Sequence, residues 1–297
     1  YMLGRVEDLL GNRELAVLYL KKALEIYGDY SDPVFLLLQI YMKTGKIMEA
    51  YLLAKEMLES YPGQEKLLRA CAYAAEKLHY NKEADDFYKR LLIMNPNDAG
   101  ILKSFAIILI RLEKYEHALL IFKNMLRNKP SEPDVLSNMS FICAQKQDYA
   151  NAIHYAQKAI VSNPNYIPAY EHLAYAYKIK GFLHKALNAY DAILGLDPDN
   201  ADALVCKGDI LYTLGLYRES LAVFEKAVSF DAPAVIAYYY LGDLYERHFC
   251  NKEKALEYFL TYRRRLEGYK DFQGLQIADK RIKNLEKYAQ NRLSKTS

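Results

Sequence analysis

The chain has 297 residues, 52% hydrophobic and 26% charged, a balance that belongs to folded chains and excludes extensive disorder. Its 40 Lys and Arg against 37 Asp and Glu leave a net charge of +3, too little for phosphate neutralisation to dominate binding by the whole chain, so general nucleic-acid binding is not expected. Apolar runs such as Phe105 to Ile110 fall far short of the roughly 18 to 20 residues that cross a bilayer, and 13 Gly with 9 Pro are few for an all-β chain.

In chain order, the predicted elements are pairs of helices. The chain enters partway through a first helix at Gly4, turns at Gly11 and returns through Ala16 and Leu20. The next pair carries Leu37, Leu38, Ile40 and Tyr41, then Gly45, Ala50 and Ala54, and closes at Pro62. Pairs with Ala72, Ala84 and Tyr88, with Ala106, Ala118 and Phe122, and with Ser140, Ala152 and Ala156 follow, closed by Pro96, Pro130 and Pro164. Ala174, Gly181, Ala186 and Tyr190 mark the sixth pair, closed by Pro198, Gly208, Gly215, Ser220 and Phe224 the seventh, and Gly242, Ala255 and Phe259 the eighth.

These markers recur. Ala16, Ala50, Ala84, Ala118, Ala152 and Ala186 stand 34 residues apart, Ser220 continues the series, and Ala255 follows after 35. The prolines from Pro62 to Pro198 keep the same step, with Gly28 before them and Ala232 after. Small residues are required where the two helices of a hairpin cross closely, and large ones fill the space between pairs. Ala54 and Ala156 depart from the large column, with Tyr51 and Tyr155 nearby, and Leu38 departs from the small one. The glycines sit where a first helix ends in a residue tolerant of positive φ, and the prolines mark the link to the next pair.

The unit Tyr170, Leu173, Ala174, Tyr177, Gly181, Ala186, Tyr190, Pro198 resembles the tetratricopeptide repeat, a helix-turn-helix unit of 34 residues, and the unit with Gly208, Gly215 and Phe224 is similar to it. The resemblance covers residues 1–266 as eight units, the first incomplete, and leaves 267–297 as a C-terminal capping helix and basic tail. It implies an all-α fold, a right-handed α-solenoid superhelix whose first helices line the inner, concave face. The chain departs from the family in having no Trp and one extra residue in the turn from Phe249 to Glu253. The RNA-reading pentatricopeptide family, with its longer period, fits the alanine and proline register less well.

Little else carries chemistry. The six His residues fall in different registers with no H-E-x-x-H, and His248 with Cys250 is an incomplete ligand set. Asp197, Asp199 and Asp202 lack the Gly and Glu of a calcium loop and read as a turn with an N-cap. Cys71, Cys143 and Cys206 occupy apolar or half-buried positions with no base in view, and no phosphate-binding glycine loop is present. Asn138-Met139-Ser140 matches a glycosylation acceptor, but Ser140 belongs to the packed small column. No catalytic residue, metal or cofactor is expected.

Most of the 28 Tyr fall in packing positions. Tyr73, Phe141 and Tyr175 instead share a register on the face that the family turns inward, where aromatic side chains suit peptide or helix recognition. In the same inward registers Lys43, Lys66, Arg69, Lys77, Lys103 and Arg111 stand against Asp32 and Glu76 in the earlier repeats, with Ile107 among them. Asp134, Glu171, Asp202, Asp209, Asp243 and Glu246 stand against Lys178 and Arg247 in the later ones. A partner segment of mixed charge is therefore expected. The Lys, Asn, Asn, Lys, Arg set with which some relatives grip a C-terminal dicarboxylate is incomplete here, and the asparagine ladder of sugar-transferase repeat domains is missing.

The resulting expectation is a non-catalytic scaffold or adaptor that binds a protein or peptide in the groove, with self-association open, no nucleic acid, no membrane span and a cytoplasmic location. Its rivals are the targeting or regulatory segment of a larger enzyme or multiprotein machine, and an RNA-binding solenoid. At the C-terminus, Leu275, Ala278, Ile282, Leu285 and Ala289 form one apolar stripe after Gly268, predicted to pack near Leu256, Phe259 and Leu260 and to cap the last pair. The end from Arg263 carries ten basic and four acidic residues, so engagement of an acidic surface is the competing reading.

Overall fold

The computed structural model describes residues 1–26, 31–230, 234–267 and 271–293, and Gly28, Ala232, Gly268 and residues 294–297 lie outside them, as does the side chain of Ala289. Seventeen helices and no strand occur among the described residues. The chain forms two compact units, Tyr1–Pro130 and Ser131–Ser297.

The first unit holds four helix pairs: α1 (Met2–Leu9) with α2 (Arg13–Ile26), α3 (Ser31–Lys43) with α4 (Ile47–Ser60), α5 (Glu65–Lys77) with α6 (Asn81–Met94), and α7 (Ala99–Arg111) with α8 (Tyr115–Asn128). The second holds α9 (Pro133–Gln145) with α10 (Tyr149–Ser162), α11 (Ile167–Ile179) with α12 (Leu183–Leu196), α13 (Ala201–Thr213) with α14 (Tyr217–Val228), α15 (Val235–Arg247) with α16 (Lys252–Leu266), and the unpaired α17 (Phe272–Leu293). Within each unit contacts run mainly between successive helices, the nearest-neighbour pattern of a helical repeat solenoid.

Every member of the alanine column, Ser220 included, is fully buried. The facing column explains its glycines: a Cβ on Gly208 would lie 2.7 Å from the ring of Phe224, and one on Gly242 would lie 2.9 Å from Phe259. Two columns that meet this closely can exchange volumes, and Leu38 does so: it is buried in the small column of the pair whose large column holds Ala54. Serines that replace the small residues satisfy themselves across the hairpin. The Ser140 hydroxyl donates to the Ala152 carbonyl at 2.7 Å, and the Ser220 hydroxyl to that of Gly208 at 2.9 Å. Ser140 is thus packed inside, and the Asn138-Met139-Ser140 match lies within a formed helix with its hydroxyl engaged in the hairpin.

The turns keep register more strictly than the glycines alone suggest. Gly11, Gly45, Gly181 and Gly215 have positive φ, and so do His79, Glu113 and Gln147 at the same 34-residue step. In the eighth pair Cys250 takes the position one residue late, where the turn carries its extra residue. Backbone bonds such as Lys46 N–H to Tyr41 O and Phe182 N–H to Tyr177 O close the first helices in the manner of a Schellman motif.

Helix α17 packs on α16. Ala278, Ile282 and Leu285 are buried with Ala255, Phe259, Tyr262 and Leu266, and Leu256 and Leu275 are partly covered. Leu260 does not join them; it is 46% exposed. The covered stripe of α16 follows steps of three and four through 255, 259, 262 and 266, and Leu260 stands one residue off it.

Candidate functional site

In the first unit the inward registers fall on α3, α5 and α7. Tyr73 is 41% exposed, with the Lys77 ammonium 5.5 Å from its ring centroid, and Lys66 lies 5.0 Å from the ring of Phe35. Both lysines and Lys43 are exposed, whereas Lys103 and Ile107 are half-buried. The two arginines are engaged internally. Arg69 pairs with Glu65 and Asp98, each at 2.7 Å. Its hydrogen bond, followed by the backbone N–H of Ile101, holds the Asp98 carboxyl below the usual range. Arg111 donates to the Glu76 carbonyl at 2.9 Å, and the Glu76 carboxylate accepts from Tyr88 at 2.7 Å. Cys71, against the other side of α5, has its thiol pushed up to about 11 by burial, the state of a structural cysteine and not of a nucleophile.

In the second unit the column Phe141, Tyr175, Asp209, Asp243 runs from aromatic to acidic at the repeat step, on α9, α11, α13 and α15. Tyr175 is 44% exposed, and Phe141 is half-buried with its ring 5.6 Å from that of His172. Burial lowers the His172 pKa. Beside it the Glu171 carboxyl is raised, first by desolvation and then by the charge of Asp202.

The acids further along do not face an empty surface. Asp209 takes Lys178 at 2.5 Å and the Tyr240 hydroxyl at 2.7 Å. Asp243 is 3% exposed and accepts from Tyr212 at 2.5 Å, from Arg247 at 2.9 Å and from the Arg281 guanidinium of α17, which also lies 3.4 Å from Glu246. Of the acids expected to offer charge to a partner, Asp209 and Asp243 thus join successive first helices, and Asp243 and Glu246 meet Arg281 of the cap. Lys178 to Asp209, Tyr240 to Asp209 and Tyr212 to Asp243 all span 31 residues. That step is one repeat less about one helical turn and joins unlike residues, so no column of like residues displays it; Arg281 stands outside the register altogether.

Other candidates resolve into structure. His248 stacks on Tyr217 at 3.5 Å, and no group of three or more His, Cys, Asp and Glu among the described residues could hold a metal. Asn200 caps α13 by accepting from the Ala203 N–H, and Asp197 braces it. No described helix is long and apolar enough to cross a membrane.

Sequence profiles of the tetratricopeptide repeat match residues 172–234 and 207–269, and another matches 1–30. These stretches of the chain are tetratricopeptide repeats. Proteins built of such repeats are generally non-catalytic scaffolds. A tetratricopeptide repeat protein from Parabacteroides merdae ATCC 43184 superposes with a TM-score of 0.64 at 18% identity, over 85% of this chain and 97% of that one. MamA from Desulfovibrio magneticus RS-1 gives 0.52 at 22% identity over 59% and 98%. The APC/C hetero-tetramer Cut9-Hcn1 gives 0.60 at 14% over 91% of this chain but 52% of that one. At these identities the likeness is one of fold. No curated protein matches the sequence.

Proposed function

We propose that this tetratricopeptide repeat protein is a non-catalytic scaffold or adaptor that holds a partner peptide or helix on the inward face of its first helices. The observation that carries the reading is the exposure of Tyr73 on α5 in the first unit and of Tyr175 on α11 in the second, at the same register of their first helices. Aromatic groups left in water on a rigid helix bury large area on binding with few torsions to freeze. Around Tyr73 the exposed charges are Lys66 and Lys77; around Tyr175 they are Glu171 and Asp202. An acidic stretch suits the first set and a basic one the second, which favours a partner segment of mixed charge. Cys71, Cys206 and Cys250 form no disulfide, which supports a reducing compartment, the cytoplasm, as the place of work.

The test is affinity capture on the full chain beside a Tyr73→Ser, Tyr175→Ser variant of equal melting temperature. Partners retained by the first should be lost from the second, and charge reversal at Lys66 and Lys77 should slow association and flatten its salt dependence. Equal retention by both proteins, with association rates indifferent to the lysines, overturns the reading.

A further inference from the structure

The second unit contains a cavity of about 420 Å³ between the starts of α13 and α15 and the end of α16. Its walls are apolar, from Val205, Val235, Ile236, Tyr262 and Leu266, and Asp202 and Asp271 also line it. Ile236 is 43% exposed, so the cavity opens to water beside an apolar side chain that packing leaves uncovered. Asp271 has a task of its own, since its carboxylate accepts the Gly274 N–H at the start of α17. Asp202 has none: no described cation pairs with it, nor with Glu171, whose carboxyl feels its charge from the neighbouring first helix.

Asp202 therefore belongs to two features at once, a wall of the apolar cavity and one half of a like-charged pair. Two carboxylates in this relation gain from a cation placed between them, and a guanidinium or ammonium there would form charge-assisted hydrogen bonds in place of repulsion. The cavity volume lies in the range of sites that enclose compact apolar ligand groups and exceeds a single water site. Resting on the scaffold reading above, we infer that this cavity is the anchor site for a partner segment in which a large aliphatic or aromatic residue enters between Val205, Ile236 and Tyr262, and a neighbouring Arg or Lys bridges Glu171 and Asp202. The partner is a protein segment; its sequence signature is an apolar anchor next to a base, and acidic neighbours are excluded by the same carboxylates. Tyr175, one helical turn beyond Glu171, offers the adjoining contact.

A displayed library of random linear peptides, selected on the full chain, supplies the probe. Selected peptides should pair Leu, Ile, Met or Phe with an adjacent Arg or Lys, and synthetic copies should bind about tenfold or more weakly to Asp202→Lys, the scale of one lost charge-assisted hydrogen bond. Ile236→Ser, at an exposed position, and Val205→Phe, which fills the cavity, should have effects of the same order; unchanged helical circular dichroism shows that each variant is folded. An empty selection, selected peptides without a basic residue, or binding indifferent to Asp202 and Ile236 overturns the inference. Peptides that ignore these positions yet are lost on Tyr73→Ser or Tyr175→Ser would leave the scaffold reading intact and place the partner elsewhere on the first helices.

Discussion

Gly242 illustrates how narrow the packing tolerance is at a single residue. Three atoms of the Phe259 ring lie 2.9 Å from where its Cβ would be, and the ring cannot retreat freely: Arg281 lies 5.2 Å from its centroid and Tyr239 packs on it at 5.9 Å. Alanine would improve helix propensity by about 1 kcal/mol, but overpacking by a Cβ set against a pinned ring costs up to about 3 kcal/mol, so Gly242→Ala should lower stability by up to about 2 kcal/mol. The loss should shrink in a Phe259→Leu background, which urea titration of the four proteins would show as a coupling; a stable Gly242→Ala would mean that the two helices can part. His172 offers a second test, in pH. Burial lowers its pKa, so the unfolded chain binds the proton first: stability is level above the ordinary histidine value of 6.5 and falls as pH drops from there toward the lowered folded value. His172→Gln removes that slope, and melting temperatures of the two proteins between pH 5 and 8 should diverge on the acid side only. Parallel profiles would show that His172 keeps its proton affinity inside the fold.

At the scale of elements, seven first helices end in a left-handed residue at one step, yet only four of these are glycines. His79, Glu113 and Gln147 are exposed, so their side chains meet no wall, and each bears only the local strain of about 1 to 2 kcal/mol that an L residue has in this conformation. Glycine relieves that strain and gives back about 0.5 to 1 kcal/mol in chain entropy. Glu113→Gly should therefore raise the urea midpoint by the equivalent of about 0.5 to 1 kcal/mol, while Gly45→Ala at the same step should lower it; a destabilised Glu113→Gly would mean that the carboxylate supplies more than its turn. The same contrast explains what the sequence reveals. Columns that repeat at the period, Ala16 to Ala255 and Tyr73 to Tyr175, are visible because identical environments select similar residues. The turn positions at His79, Glu113 and Gln147 are hidden because the backbone, not the side chain, repeats there. Bonds from Lys178 and Tyr240 to Asp209 were hidden for another reason: they join unlike residues across repeats at a step that no column of like residues displays. The exposed Tyr175 was legible from register alone, but the cavity beside Ile236 needs three helices to exist, and only packing could disclose it.

For the molecule as a chain of stacked pairs, stability is a sum over neighbours, and the last pair has a neighbour on one side only. Helix α17 takes the missing place in two ways that can be separated. Its apolar stripe covers Phe259, Tyr262 and Leu266, and its Arg281 completes the partners of the buried Asp243 and reaches Glu246. Deleting residues 270–297 removes both contributions and should lower the melting temperature and the solubility, because Phe259 and its neighbours would face water. Arg281→Met keeps an apolar stem over Phe259 and removes only the charge. Asp243 retains Tyr212 and Arg247, so the loss should be about 1 to 3 kcal/mol, that of a charged hydrogen bond at a buried group, and smaller than that of the deletion. Adding Asp243→Asn to Arg281→Met should cost less than the two changes taken separately, since each removes the reason for the other. A truncated chain that melts as the full chain does, yet loses a captured partner, would show that α17 serves as a binding helix first and a cap second.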